Sequence, residues 1–147
     1  MFLYPIILHI FTVEMDAINI LGDDLYPTVV FDPENGLFKI SGRSMMDDAE
    51  FFYRDLLSWM DEYAENPNDI EFTIDMECFN IASSKRLLFL LYKLEEISKA
   101  NKVSVSVVWC CYDNEDDMFE VGQDFAVMVK IPFSFYICTP QEDAVLA

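Results

Sequence analysis

The chain has 147 residues, is 53% apolar and 15% aromatic, and carries a formal net charge of −18. That length suits one domain with a core of its own, and so apolar a composition excludes a disordered polyelectrolyte. Nine basic residues against 27 acidic ones exclude nucleic acid as a partner and disfavour an anionic membrane surface, which leaves proteins with basic or apolar faces.

The opening "MFLYPIILHIFTVE" lacks the basic start and small-residue cleavage site of a signal peptide and is too short to span a bilayer. Residues 1–14 read as an apolar leader or a start-site artefact, 15–140 as a single domain and 141–147 as a tail. In "TVVFDPENGLFKISG", two β-rich runs flank Asp32-Pro33-Glu34-Asn35-Gly36, whose turn chemistry predicts a hairpin. "DDAEFFYRDLLSWMDEYAENP" spaces Phe52, Leu56, Trp59, Met60 and Tyr63 as one face of a helix, with Pro67 beyond its end.

"IEFTIDMEC" alternates as a strand, with Ile70, Phe72, Ile74, Met76 and Cys78 on one face. A helix over about 84–100 follows, striped by Leu87, Leu90, Leu91, Leu94 and Ile97. "KVSVSVVWCC" is a further strand, "EDDMFEVGQDFA" a short helix carrying Met118, Val121 and Phe125, and "FSFYIC" a last strand. The order ββ(β)αβαβαβ predicts an α/β fold: a mixed sheet of five or six strands, helices packed over it, and an antiparallel hairpin at the N-terminal side.

Chemistry is sparse. The one histidine, His9, lies in the leader, so no Ser-His-Asp or Cys-His set exists in the domain. No glycine-rich phosphate loop occurs, and no cofactor is implied. "DNEDDMFE" spaces Asp113, Glu115 and Asp117 like a calcium loop, but it lacks the turn glycine and the twelfth-position glutamate; acids at a helix start explain it better. Cys78, Cys110, Cys111 and Cys138 form no CxxC pair and read as small apolar residues in a reducing, cytoplasmic setting.

The strand-to-helix junction "ECFNIASSKR" stands apart. Lys85 and Arg86 fall in the first turn of the predicted helix, where the macrodipole is already positive. Ser83 or Ser84 suits an N-cap. Either is also a candidate phosphoacceptor, since a phosphate here would meet the helix N–H groups and the two cations.

"FDPENG", "SGRS", the "FN..SSK" junction, the strand ending at Trp109, "EDDMFEVGQDF" and "KIPF" occur in an order and spacing that together resemble the SiaC-type bacterial regulatory phosphoproteins. The resemblance spans about 16–137. It implies a STAS-like fold akin to anti-sigma-factor antagonists and a non-enzymatic signalling role. It further implies a partner kinase, a partner phosphatase and an output enzyme, a diguanylate cyclase in the best-known system. The family's acceptor is a threonine directly after the asparagine, a position held here by Ile81. The switch is therefore either locked or moved to Ser83 or Ser84, with Asn80, Ile81, Lys85 and Arg86 as docking residues. The alternatives are an acidic metal-dependent hydrolase and a structural protein without a switch.

Overall fold

The computed structural model describes residues 15–113 and 116–138. The leader 1–14, the tail 141–147 and Glu115 of the acidic loop lie outside the described residues. Six strands, β1 (Ile18–Ile20), β2 (Thr28–Asp32), β3 (Leu37–Ser44), β4 (Ile70–Phe79), β5 (Val105–Tyr112) and β6 (Phe133–Cys138), form one sheet whose spatial order follows chain order. The β1–β2 and β2–β3 pairs are antiparallel, and β3–β4, β4–β5 and β5–β6 are parallel. The parallel pairs are joined through helices α1 (Ala49–Tyr63), α2 (Ile81–Asn101) and α3 (Asp116–Met128). This is the mixed α/β sheet with an N-terminal hairpin that the sequence predicts.

The hairpin turn is held locally. Asp32 accepts from the backbone and side-chain amides of Asn35 at 3.3 and 2.7 Å, and Gly36 takes φ +66°, a conformation that favours glycine. One sheet face, with Phe38, Ile40, Phe72, Ile74, Val107 and Trp109, is buried beneath the helices. The other face presents Lys39, Glu71, Thr73, Asp75 and Tyr136. Each helix contributes an apolar stripe to the same core, for example Tyr53, Leu56 and Met60 from α1 and Leu87, Leu90 and Leu94 from α2. The α3 helix lies close across Trp109, whose indole donates to the Met118 carbonyl at 3.0 Å; a Cβ on Gly122 would come within 2.6 Å of that ring.

Two details differ from the sequence reading. Cys78 does not continue the buried face of β4. Gly42 pairs with Met76 and Arg43 with Cys78, so Glu77 is an extra residue, a bulge that shifts the phase of the strand end. Phe79, paired with the buried Ser44, packs on the core instead. Also, α2 begins at Ile81 rather than near Ser84, because Asn80 supplies the cap.

Candidate functional site

The junction sits at the C-terminal end of the central parallel strands. The backbone N–H of Asn80 donates to the Ser44 carbonyl at 3.0 Å, tying the ends of β4 and β3 together. The Asn80 side chain works in both directions. Its Oδ1 accepts from the Ser83 N–H at 2.9 Å, which is the helix cap, and its Nδ2 donates to the Met46 carbonyl at 2.9 Å. A serine at the same place could cap the helix but could not also hold the chain that leaves β3.

Beneath this cap lies a buried row of hydroxyls. Ser44 and Ser83 are the buried polar residues among those described, both fully enclosed. Ser44 Oγ lies 2.8 Å from Tyr53 OH and 2.7 Å from Ser83 Oγ, and Ser83 Oγ lies 3.5 Å from Met46 Sδ. One assignment uses every proton once: Tyr53 donates to Ser44, Ser44 to Ser83, and Ser83 to the thioether. Burial pushes the Tyr53 phenol up to about 12, against a smaller lowering because Ser44 could turn its hydroxyl to donate to a phenolate, so at neutral pH the phenol keeps its proton and can donate. The row joins the end of β3, the first half of α1 and the first turn of α2.

The surface above is quite different. Ile81 is 90% exposed, and beside it Ala82 is exposed too. Met45 and Leu25, joined by a 2.8 Å backbone bond, add partly exposed apolar side chains at the same end of the sheet. Ser84 is half-buried, its hydroxyl donating to the Ile81 carbonyl at 3.1 Å. Of the two serines, then, Ser83 points into the core and Ser84 lies toward the surface.

With α2 starting at Ile81, Lys85 and Arg86 are its fifth and sixth residues, past the first turn, so the basic pair is less misplaced than its position in the sequence suggests. Arg86 reaches Glu50 in the first turn of α1, with 3.5 Å between Nη2 and Oε2, and its guanidinium lies 5.4 Å from the centre of the Phe89 ring. Glu50 in turn sits at an N-terminal turn, where an acid is favoured. Lys85 is exposed, with its ammonium 5.9 Å from the Phe89 ring centre. The sequence reading missed Ser44, Met46, Glu50 and Tyr53. Of these, Tyr53 was open to inference, since Ala49, Tyr53, Leu56, Met60 and Tyr63 recur at helical spacing; the other three depend on contacts between distant segments.

Among the described residues no three or more His, Cys, Asp or Glu side chains come together as a metal site. Burial, then Asp75, pushes the Cys110 thiol up to about 11, so it is not poised as a nucleophile. No helix among the described residues is long and apolar enough to cross a membrane. Among the described residues the sheet order never reverses, so these six strands form no topological switch point of the kind at which open α/β sheets make a ligand crevice. What the site offers is a rigid, partly apolar ledge.

The family described as SiaC family regulatory phosphoprotein matches residues 20–138. The chain belongs to the SiaC family. No curated protein matches it. Among solved structures, apo-SiaC from Pseudomonas aeruginosa superposes with a TM-score of 0.76 at 20% identity, over 83% of this chain and 99% of that one. A structure described as diguanylate cyclase SiaD in complex with its activator SiaC, from the same organism, gives 0.77 at 19% identity, over 82% of this chain and 99% of that one. At such identities the likeness is one of fold, and it extends across the whole SiaC domain. The match of family and fold agrees with the resemblance carried by the sequence motifs, and it sets Ile81 in a family described by its phosphorylation.

Proposed function

We propose that this SiaC family member is a non-enzymatic cytoplasmic adaptor that binds and activates an output enzyme through the start of α2. A diguanylate cyclase is the output class favoured by the activator role given to SiaC in its complex with SiaD. The observation that carries the reading is Ile81: a β-branched apolar residue, 90% exposed, on a doubly bonded cap where the protein gains nothing for its own core. A large exposed apolar side chain on a rigid support makes a suitable interface anchor. Asn80 fixes its position, and Lys85 and Arg86 supply a basic flank.

Ile81 offers no hydroxyl to a kinase. Ser84 is the better displaced acceptor, because Ser83 is enclosed and bonded on both sides. In this reading a partner kinase and phosphatase act on Ser84, or the adaptor is locked in its binding form. Mass spectrometry of the protein from its own host, on the peptide that contains Asn80 to Lys85, separates the two: phosphate at Ser84 means a moved switch, and its absence in every growth condition means a locked one.

The test of the interface is calorimetry with a diguanylate cyclase from the same host. Ile81→Asp is expected to weaken binding at least about tenfold, the effect of removing an anchor worth about 2 kcal/mol. Unchanged affinity would place the interface elsewhere. A large saturable rise in Tm with magnesium or calcium would instead favour the acidic hydrolase.

A further inference from the structure

A second surface lies on the outer side of α1, away from α2. Between α1 and the β1–β2 edge runs an open groove of about 450 Å³. Ile20 and Phe52 line opposite walls, Tyr26 packs on Phe52 with ring centres 5.4 Å apart, and Phe51, 60% exposed, stands at the rim. Ile18 and Leu56 add to the apolar lining, and two carboxylates, Asp48 and Asp55, complete it, with no lysine or arginine among the lining residues. Of the cations outside the lining, Arg54 lies on the Phe51 ring at 4.6 Å from its centre, and Arg43 is bonded to the Asp24 carbonyl at 3.0 Å and to Glu77 at 3.3 Å. Asp48 accepts from the Tyr26 hydroxyl at 2.7 Å. The Tyr26 phenol is raised first by that bond, then by desolvation and by the charges of Asp48, Asp23 and Asp47, so the negative field extends beyond the lining itself.

We propose that this groove docks a segment of a second protein partner, one apolar or aromatic side chain seated against Phe52 with lysines or arginines beside it facing Asp48 and Asp55. An open apolar trough edged by acids is the complement of such a segment. Charge decides among the possible occupants. A second copy of the chain brings another net charge of −18, and residues 1–14 contain no lysine or arginine and end in Glu14. A basic partner satisfies both the apolar wall and the field. Ile81 is not among the residues that line the groove.

The probe is a fluorescein-labelled peptide amide of about twelve residues, one tryptophan among leucines and lysines at helical spacing, followed by anisotropy at about 0.1 M salt. Wild-type protein should bind it, and the same peptide with glutamine for lysine should bind at least about tenfold more weakly. Asp55→Lys should weaken binding about tenfold and Phe51→Ala several-fold, whereas Glu71→Lys on the open sheet face, the same change in net charge, should alter it less than about twofold. Equal losses for Asp55→Lys and Glu71→Lys would mean attraction to net charge alone and would overturn the proposal. Loss in Ile81→Asp would place the peptide at the junction and overturn it too, while leaving the junction reading standing. Amide chemical-shift changes in the wild-type complex give an answer free of folding effects: they must fall on β1 and the outer face of α1.

Discussion

Asn80 is the residue on which the site's geometry depends, and its two bonds can be separated by substitution. Asn80→Ala removes both. Loss of the cap to Ser83 N–H costs about 1 kcal/mol, and loss of the amide donor to the Met46 carbonyl costs about another 1 kcal/mol; these are the 2.9 Å contacts on either side of the amide. Asn80→Asp restores the cap acceptor, at a helix start that favours negative charge, but turns an oxygen toward the Met46 carbonyl, so it should cost about 1 kcal/mol. Urea unfolding followed by the fluorescence of Trp59 and Trp109 is the assay. With a slope of about 2 kcal/mol per molar, the midpoint should drop by about 1 M for alanine and about half that for aspartate. An alanine variant within about 0.5 kcal/mol of wild type, or an aspartate variant as unstable as alanine, would refute the two-bond account.

The buried hydroxyl row predicts that Ser83→Ala and Ser44→Ala each cost about 1–3 kcal/mol and that their effects couple by at least about 0.5 kcal/mol in a double-mutant cycle; strict additivity would deny the row. Tyr53 ionises near 12 in the folded protein against an ordinary 10.0. As pH rises past 10 the unfolded chain therefore releases this proton first, and stability falls. By pH 11 the wild type should have lost about 1 kcal/mol more than Tyr53→Phe, measured by urea unfolding at both pH 9 and pH 11. Gly122→Ala would stabilise an ordinary helix by about 1 kcal/mol. Here the 2.6 Å approach to the Trp109 indole should reverse the sign to a net loss of about 1–2 kcal/mol in thermal unfolding, and a stabilised variant would show that α3 lies further from β5 than described.

Much of the fold was legible because its signals are local. Asp32 to Gly36 specify a turn whatever surrounds them, and the stripe from Leu87 to Ile97 has only one periodicity that buries it. The start of α2 was misplaced by three residues because asparagine and serine are comparable caps; the choice is made by Asn80 Nδ2 reaching Met46, a contact between segments far apart in sequence. The same limit hid the bulge at Glu77, which no alternation pattern in β4 alone announces, and so turned Cys78 the wrong way. At the site, the apparent conflict of Arg86 with the helix dipole came from the helix start read near Ser84; starting at Ile81 takes Arg86 past the first turn, and its partner Glu50 could not be foreseen, since the two side chains meet only once α1 and α2 pack. Ser83 and Ser84 look equivalent in sequence; a single step of about 100° around a helix puts one in the core and the other toward water.

The sheet in which every strand lies beside its predecessor has a consequence for how the protein is made. A ribosome delivers β1 through β6 in the order in which they sit side by side. Each newly emerged strand and helix can dock on an edge that is already complete, with no gap held open for a later segment and no finished pairing undone. Most loops closed along the way are single crossovers, which keeps the entropic cost of each addition small. Until β6 arrives, β5 is the exposed edge, so a stalled or truncated chain presents the Val105–Tyr112 run, a stretch without a charged residue, as the surface most prone to aggregate.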